Sequence, residues 1–147
     1  MGQINAGRVI LGGLLAGLIL NVGESLANMV VFAGEYEAML DRFNLEPVGA
    51  GGIAVFVVGG FVLGILMVWL YAAMRPRFGP GPKTAVLVGL AVWFLAWFWQ
   101  ALGMLVMGLF GFQIFLLGEI WGVVEVVLAA LAGGWVYREG EAAAAAG

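Results

Sequence analysis

The 147-residue chain has no cysteine and no histidine, and only one serine (Ser25), one threonine (Thr84) and one lysine (Lys83). Each scarcity removes a class of chemistry. Without cysteine there are no disulfides, no thiolate metal sites and no thiol nucleophile. Without histidine the usual ligand of haem, zinc and copper is missing, together with the usual general base. Ser25 has only Glu24 beside it, and adjacent helical residues do not face each other, so no nucleophile–base pair can be assembled. Its hydroxyl is expected to bond a backbone carbonyl one turn earlier. Lys83 falls in a loop, which excludes a Schiff base inside a bundle. The chain therefore reads as a non-enzyme, with no catalytic residue, no metal site and no cofactor.

Charge is equally scarce. Only 10% of residues are charged against 64% hydrophobic, the net charge is −3 and the mean hydropathy is +1.09. No basic surface suggests nucleic acid. A soluble domain of this length would need far more polar surface, so the expected partner is the lipid bilayer. Four apolar stretches, at about 9–32, 53–74, 84–107 and 114–137, are each long enough to cross roughly 30 Å of hydrocarbon. The first is too long for the apolar part of a signal peptide and reads as an uncleaved span. The expected fold is all-α, an integral membrane bundle of four transmembrane helices in one domain (1–138), followed by a flexible tail (139–147).

Orientation follows from the few basic residues. Arg8, Arg75, Arg77, Lys83 and Arg138 fall on one side of the four spans and only Arg42 on the other, which places both termini in the cytoplasm. Trp69 with Tyr71, and Trp135 with Tyr137, then form an aromatic belt at the inner boundary. The stretch from Arg75 to Lys83 carries three prolines and reads as a stiff, non-helical turn. The loop after the first span is acidic (Glu35, Glu37, Asp41, Glu46). Within it Tyr36, Met39, Leu40 and Phe43 recur at helical spacing. This is either a short amphipathic helix on the outer surface, ended near Asn44 and Pro47, or a loop folded back on the bundle.

Glycine, by contrast, is abundant, at 25 residues. Lipid gives no hydrophobic drive for helix association, so close backbone approach has to supply it. Gly13 with Gly17, Gly60 with Gly64, and Gly118 with Gly122 have the spacing that brings helices together, within the bundle or between subunits. Polar residues interrupt three spans. At 100° per residue Asn21, Glu24 and Asn28 continue the Gly13–Gly17 face, Glu125 continues the Gly118–Gly122 face, and Gln100 lines up with Trp93, Trp97, Met104 and Met107. Glu24, Gln100, Glu119 and Glu125 lie roughly 20–28 Å above their basic anchors. A charge inside the membrane costs roughly 2.5–3.5 kcal/mol, and no basic residue occurs at these levels. The carboxyls are therefore either protonated or in contact with water, with Asn21, Asn28, Gln100 and the indoles as bonding partners. Glu119, nearer the rim, is expected to reach outer water. Trp93, Phe94, Trp97, Phe98 and Trp99 read as packing, and Met104 and Met107 as core.

The run Gly12-Gly13-Leu14-Leu15-Ala16-Gly17 leading to Asn21 and Glu24, together with the Arg75–Lys83 turn, resembles an uncharacterised family of small four-span bacterial inner-membrane proteins. The resemblance implies a multi-pass protein of the bacterial inner membrane and carries no activity with it. A looser likeness to the small multidrug resistance transporters rests on four short spans with a glutamate in the first. The five-to-one charge bias opposes their dual orientation, and Glu24 sits later in its span, so no residue roles transfer.

Two functions remain. One is a non-catalytic subunit, scaffold or assembly factor that docks other membrane subunits or a second copy of itself. The other is a small proton- or cation-coupled transporter or channel using Glu24 and Glu125. Because the chain lacks cysteine, single introduced cysteines report topology directly. A cysteine at Asn44 is expected to react with an impermeant maleimide from outside the cell, and one at Phe78 only after lysis; external labelling of Phe78→Cys reverses the assignment.

Overall fold

An apolar chain in lipid has to satisfy every backbone N–H and C=O internally, and a helix does so within one segment. In the computed structural model, which describes residues 3–138, four helices are long and apolar enough to span a membrane. They are α1 (Ala6–Val31), α3 (Ala50–Phe78), α4 (Pro82–Val106) and α5 (Phe112–Val136). A shorter α2 (Ala33–Phe43) follows α1, and no strand occurs among the described residues. The expected tail at 139–147 lies outside them. Asn5 caps α1 by accepting the Arg8 N–H, Pro82 opens α4 in the first turn, where its missing N–H costs nothing, and Asn44 ends α2 in the left-handed conformation (φ 51°).

Three local features depart from expectation. The second span continues through Pro76 to Phe78, because the proline's fixed φ is helical and only one backbone bond is lost near the helix end. The turn is confined to Gly79–Gly81, whose two glycines have φ of 82° and 117°, and Thr84 Oγ1 closes it by donating to the Gly79 carbonyl at 2.7 Å. The other two departures are π turns, at Ala27–Val31 in α1 and Phe94–Phe98 in α4. Each holds a backbone bond to the fifth residue back, Phe32 to Ala27 and Trp99 to Phe94.

α1 packs against α3 and α5, α4 packs chiefly on α5, and α1 and α4 lie diagonally across the bundle. Glycines set the closest approaches. A Cβ on Gly64 would overlap the Gly13 carbonyl and the Gly17 backbone, one on Gly13 would overlap Ile65, and one on Gly17 would come within 2.7 Å of the Phe61 Cα. Gly12 meets Gly133 of α5 in the same way, and Gly60 faces the Asn21 side chain. Gly122 lies under Trp97 and Trp93. Gly118 is the exception, with open space where a Cβ would stand. The inward face of α5 runs through Glu119, Gly122, Val126, Ala129 and Gly133, and that places Gly118 on the flank. Ala16, Leu20, Val68, Val88, Val126 and Ala129 fill the core.

One end of the bundle carries Asn5, the Gly79–Gly81 turn and Tyr137, with Arg8, Arg75, Arg77, Lys83 and Arg138; α2, with Glu35, Glu37 and Asp41, marks the other. At the basic end Tyr71 and Tyr137 are buried and meet edge to face at 6.0 Å and 85°. The Arg75 guanidinium sits over both rings, at 5.9 and 5.3 Å. The Tyr71 hydroxyl accepts the Gly81 N–H at 3.0 Å and the Tyr137 hydroxyl the Asn5 N–H at 3.3 Å. The tyrosines are thus a clasp within the protein and not part of an aromatic belt. Trp69 and Trp135, half or more exposed, keep the outward position expected of them.

Because the Gly64 site is filled by backbone, Gly64→Ala is expected to lower thermal stability in detergent by about 1–3 kcal/mol, the usual cost of overpacking. Gly118→Ala, with open space around it, should be close to neutral. Equal behaviour of the two variants in a melting assay would contradict this packing.

Candidate buried carboxyl site

Glu24 and Glu125 come together between α1 and α5. The Glu125 carboxyl lies directly against Gly23, where any side chain would collide with it, and only 5% of the residue is exposed. Its Oε2 accepts the Trp121 indole N–H at 2.8 Å, one turn earlier on the same helix. Its Oε1 is buried and has no hydrogen-bond partner in the protein. Glu24, half-buried, is better supplied. Its Oε1 accepts the Trp97 indole N–H at 2.8 Å, and its Oε2 accepts the Asn28 amide at 3.0 Å. The Trp97 bond reaches across the bundle and joins the diagonal helices α4 and α1. The two carboxyls are near enough for their charges to repel, and the cations on the spanning helices, Arg8, Arg75, Arg77 and Lys83, are gathered at the other end.

Each sequence-derived candidate has a definite place. Asn21 does not join Glu24; its amide donates to the Gly17 carbonyl at 2.8 Å and to the Val57 carbonyl of α3 at 3.2 Å, so it ties α1 to α3. Ser25 donates to the Asn21 carbonyl at 2.7 Å, one turn back. Asn28 is exposed but bonded to Glu24, both to its carboxyl and to its backbone carbonyl at 2.8 Å. Gln100 is exposed and takes no part in the cluster. The π turn at Phe94–Phe98 accounts for this, since one added residue rotates everything beyond it by about 100° relative to Trp93. Met107, just past the end of α4, is exposed and out of the core, while Met104 is half-buried.

Glu119 corrects a second expectation. It does not reach water at the rim but is buried, 8% exposed, with Oε2 unpartnered. Trp93 of α4 faces it, yet the Trp93 Nε1 closes no hydrogen bond and is itself buried. The site thus holds three carboxyls (Glu24, Glu119, Glu125) and three indoles (Trp93, Trp97, Trp121), with Gly23 and Gly122 making room. Trp121 was legible in principle, since it precedes Glu125 by four residues and so shares its face. Gly23 carried no signal, because its role depends on which helix packs against it.

Chemically, the cluster can accept hydrogen bonds, hold protons or attract a cation. Its polar groups are carboxyls and indoles, and no group of three or more His, Cys, Asp or Glu side chains that could hold a metal ion occurs among the described residues. The fold and the site define a multi-pass membrane bundle with buried acids. Compared with known protein families, curated proteins and solved structures, the chain matches none.

Trp97→Phe keeps the ring over Gly122 and removes only the N–H given to Glu24. It is expected to destabilise the bundle by about 0.5–2 kcal/mol, the range for hydrogen bonds between spanning helices. In a double-mutant cycle with Glu24→Ala the two losses should not add, and full additivity would show that the bond contributes nothing.

Proposed function

We propose that the protein is a non-catalytic subunit or scaffold of a membrane complex, docking a partner helix along the acidic-end half of α3. The observation that carries this reading is the condition of residues 50–59. Apart from Gly52, which only the neighbouring Val48 covers, every residue of this stretch is exposed, including Val55 at 70%, Phe56 at 71% and Val58 at 61%. Nearly three turns of a spanning helix are thus exposed, touched by the rest of the bundle through the Asn21–Val57 bond, and Gly51 and Gly59 meet nothing within 4 Å. Small residues in spanning helices serve close packing, and here their partner is not in this chain. An apolar groove of about 450 Å³ along α1, lined by Asn21, Val22, Ser25, Leu26, Met29 and Val30, adjoins the stretch through the Asn21–Val57 bond.

On this reading the bundle sits in the bacterial inner membrane with both ends of the chain in the cytoplasm. α2 lies flat on the outer surface beside the docked helix. Its Tyr36, Met39 and Leu40 are half-buried and its remaining faces are polar, which suits the membrane–water boundary.

A photo-crosslinking residue at Val55 or Val58 tests the reading in the intact membrane. One protein adduct of defined mass is expected from these positions and none from Leu128, which is 53% exposed on α5. Lipid adducts alone at all three positions would mean that α3 faces only the bilayer.

A further inference from the structure

We infer that the carboxyl–indole cluster encloses bound water and, with that water, forms a proton-binding site inside the bundle. The inference depends on neither reading of function, since a scaffold and a transporter could both contain such a site. Three buried polar atoms of the cluster are left over after all bonds within the protein are made: Glu125 Oε1, Glu119 Oε2 and Trp93 Nε1. Glu125 and Glu119 are each more than nine-tenths buried. A buried polar group without a partner costs about 1–3 kcal/mol, so three within two turns of α5 and the part of α4 that faces it call for an occupant.

Their chemistry says which. Two are carboxyl oxygens, which a donor would satisfy, and the third is an indole N–H, which needs an acceptor. A metal ion or an ammonium group can serve the oxygens but offers nothing to the N–H. Water donates and accepts, and fits all three. Trp93 Nε1 faces the Glu119 carboxyl and closes no direct hydrogen bond with it; one water that accepted from the N–H and donated to the carboxyl would complete both.

The arrangement also assigns the carboxyls different duties. Glu24 accepts two N–H bonds, from Trp97 and Asn28, so both of its oxygens are occupied. Glu125 accepts one, from Trp121, lies against Gly23 beside Glu24, and has its other oxygen open. The groups around Glu125 are Glu24 and Gly23 from α1 and Trp121 from its own helix, with Trp97 and Trp93 of α4 over Gly122 one turn away; none is basic. A proton delivered as hydronium therefore forms an O–H bond at Glu125 Oε1 while one O–H bond of the hydronium breaks and leaves neutral water, and the reverse transfer to water releases it. Glu119 lies six residues nearer the acidic end on α5.

Infrared spectroscopy of the intact protein in detergent or lipid tests this without relying on a variant that has to fold. At neutral pH a protonated-carboxyl band is expected that moves within minutes of transfer to D2O, as only a carboxyl in contact with exchangeable water would. Glu125→Gln should remove that band. Trp93→Phe, which deletes the open donor and keeps the ring, should slow the exchange several-fold. A wild-type spectrum with no protonated-carboxyl band overturns the proton site. A band that stays in place for hours in D2O overturns the water, as does an exchange rate unchanged in both Trp93→Phe and Glu119→Gln.

Discussion

The close passage of α1 over α3 at Gly64 is the contact on which the other features rest. Lipid contributes no hydrophobic drive between helices, so cohesion comes from dispersion and from bonds that need near contact of the backbones. Gly64 lies against the Gly13 carbonyl and the Gly17 amide, leaving no space for a methyl group. That contact sets the rotation of α1. The rotation turns Gly12 toward Gly133 of α5 and, three turns further along, Gly23 toward Glu125. The carboxyl site is thus positioned by a row of missing side chains, and the asparagine that follows, Asn21, locks the pair by bonding the backbone of both helices.

Acids inside a bundle without cations raise a problem that the protein meets with indoles. A tryptophan N–H brings a donor on an apolar body, so it can cross a hydrocarbon interior where an amide or lysine would be costly. Trp97 and Trp121 each place that donor 2.8 Å from a carboxyl oxygen. Trp97 stands in a π turn, the local widening that aims its ring from α4 toward the diagonal helix α1. The second π turn, at Ala27–Val31, begins three residues after Glu24. Both irregular turns therefore occur at the level of the buried acids, in keeping with the frequency of π turns at functional sites.

Hydropathy and spacing were enough to read the four spans, the Gly13–Gly17 and Gly60–Gly64 contacts and the inward aim of Glu24 and Glu125. These depend on a uniform 100° period over short distances, and α1 up to Ala27 keeps that period. Gln100 was misread because its aim was projected through Phe94–Phe98, where the period changes. Gly118 was misread by pairing it with Gly122, although the buried face of α5 is centred on Glu119 and Gly122. Tyr71 and Tyr137 look like interfacial aromatics from their place beside arginines. Only the tertiary fold shows that each hydroxyl finds a backbone N–H of another segment. The errors fall where one helix's surroundings, and not its own pattern, decide where a side chain points.

The tyrosine clasp has a mechanical consequence. Arg75, Tyr71, Tyr137, Asn5 and Gly81 link the start of α1, the end of α5 and the turn between α3 and α4 into one knot. At the opposite end the first turns of α3, before Val57, are exposed and α2 touches chiefly the end of α1. A bundle fastened in this way behaves as tongs. Its stiffest part is the hinge, its softest deformation is a spreading of the free tips, and the displacement grows with distance from the knot. The buried acids sit along the lever arm with Glu119 farthest out, so a spreading too small to disturb the Tyr71–Tyr137 stack would first part Trp93 from Glu119, well before it strained the Glu125–Trp121 bond within a single helix.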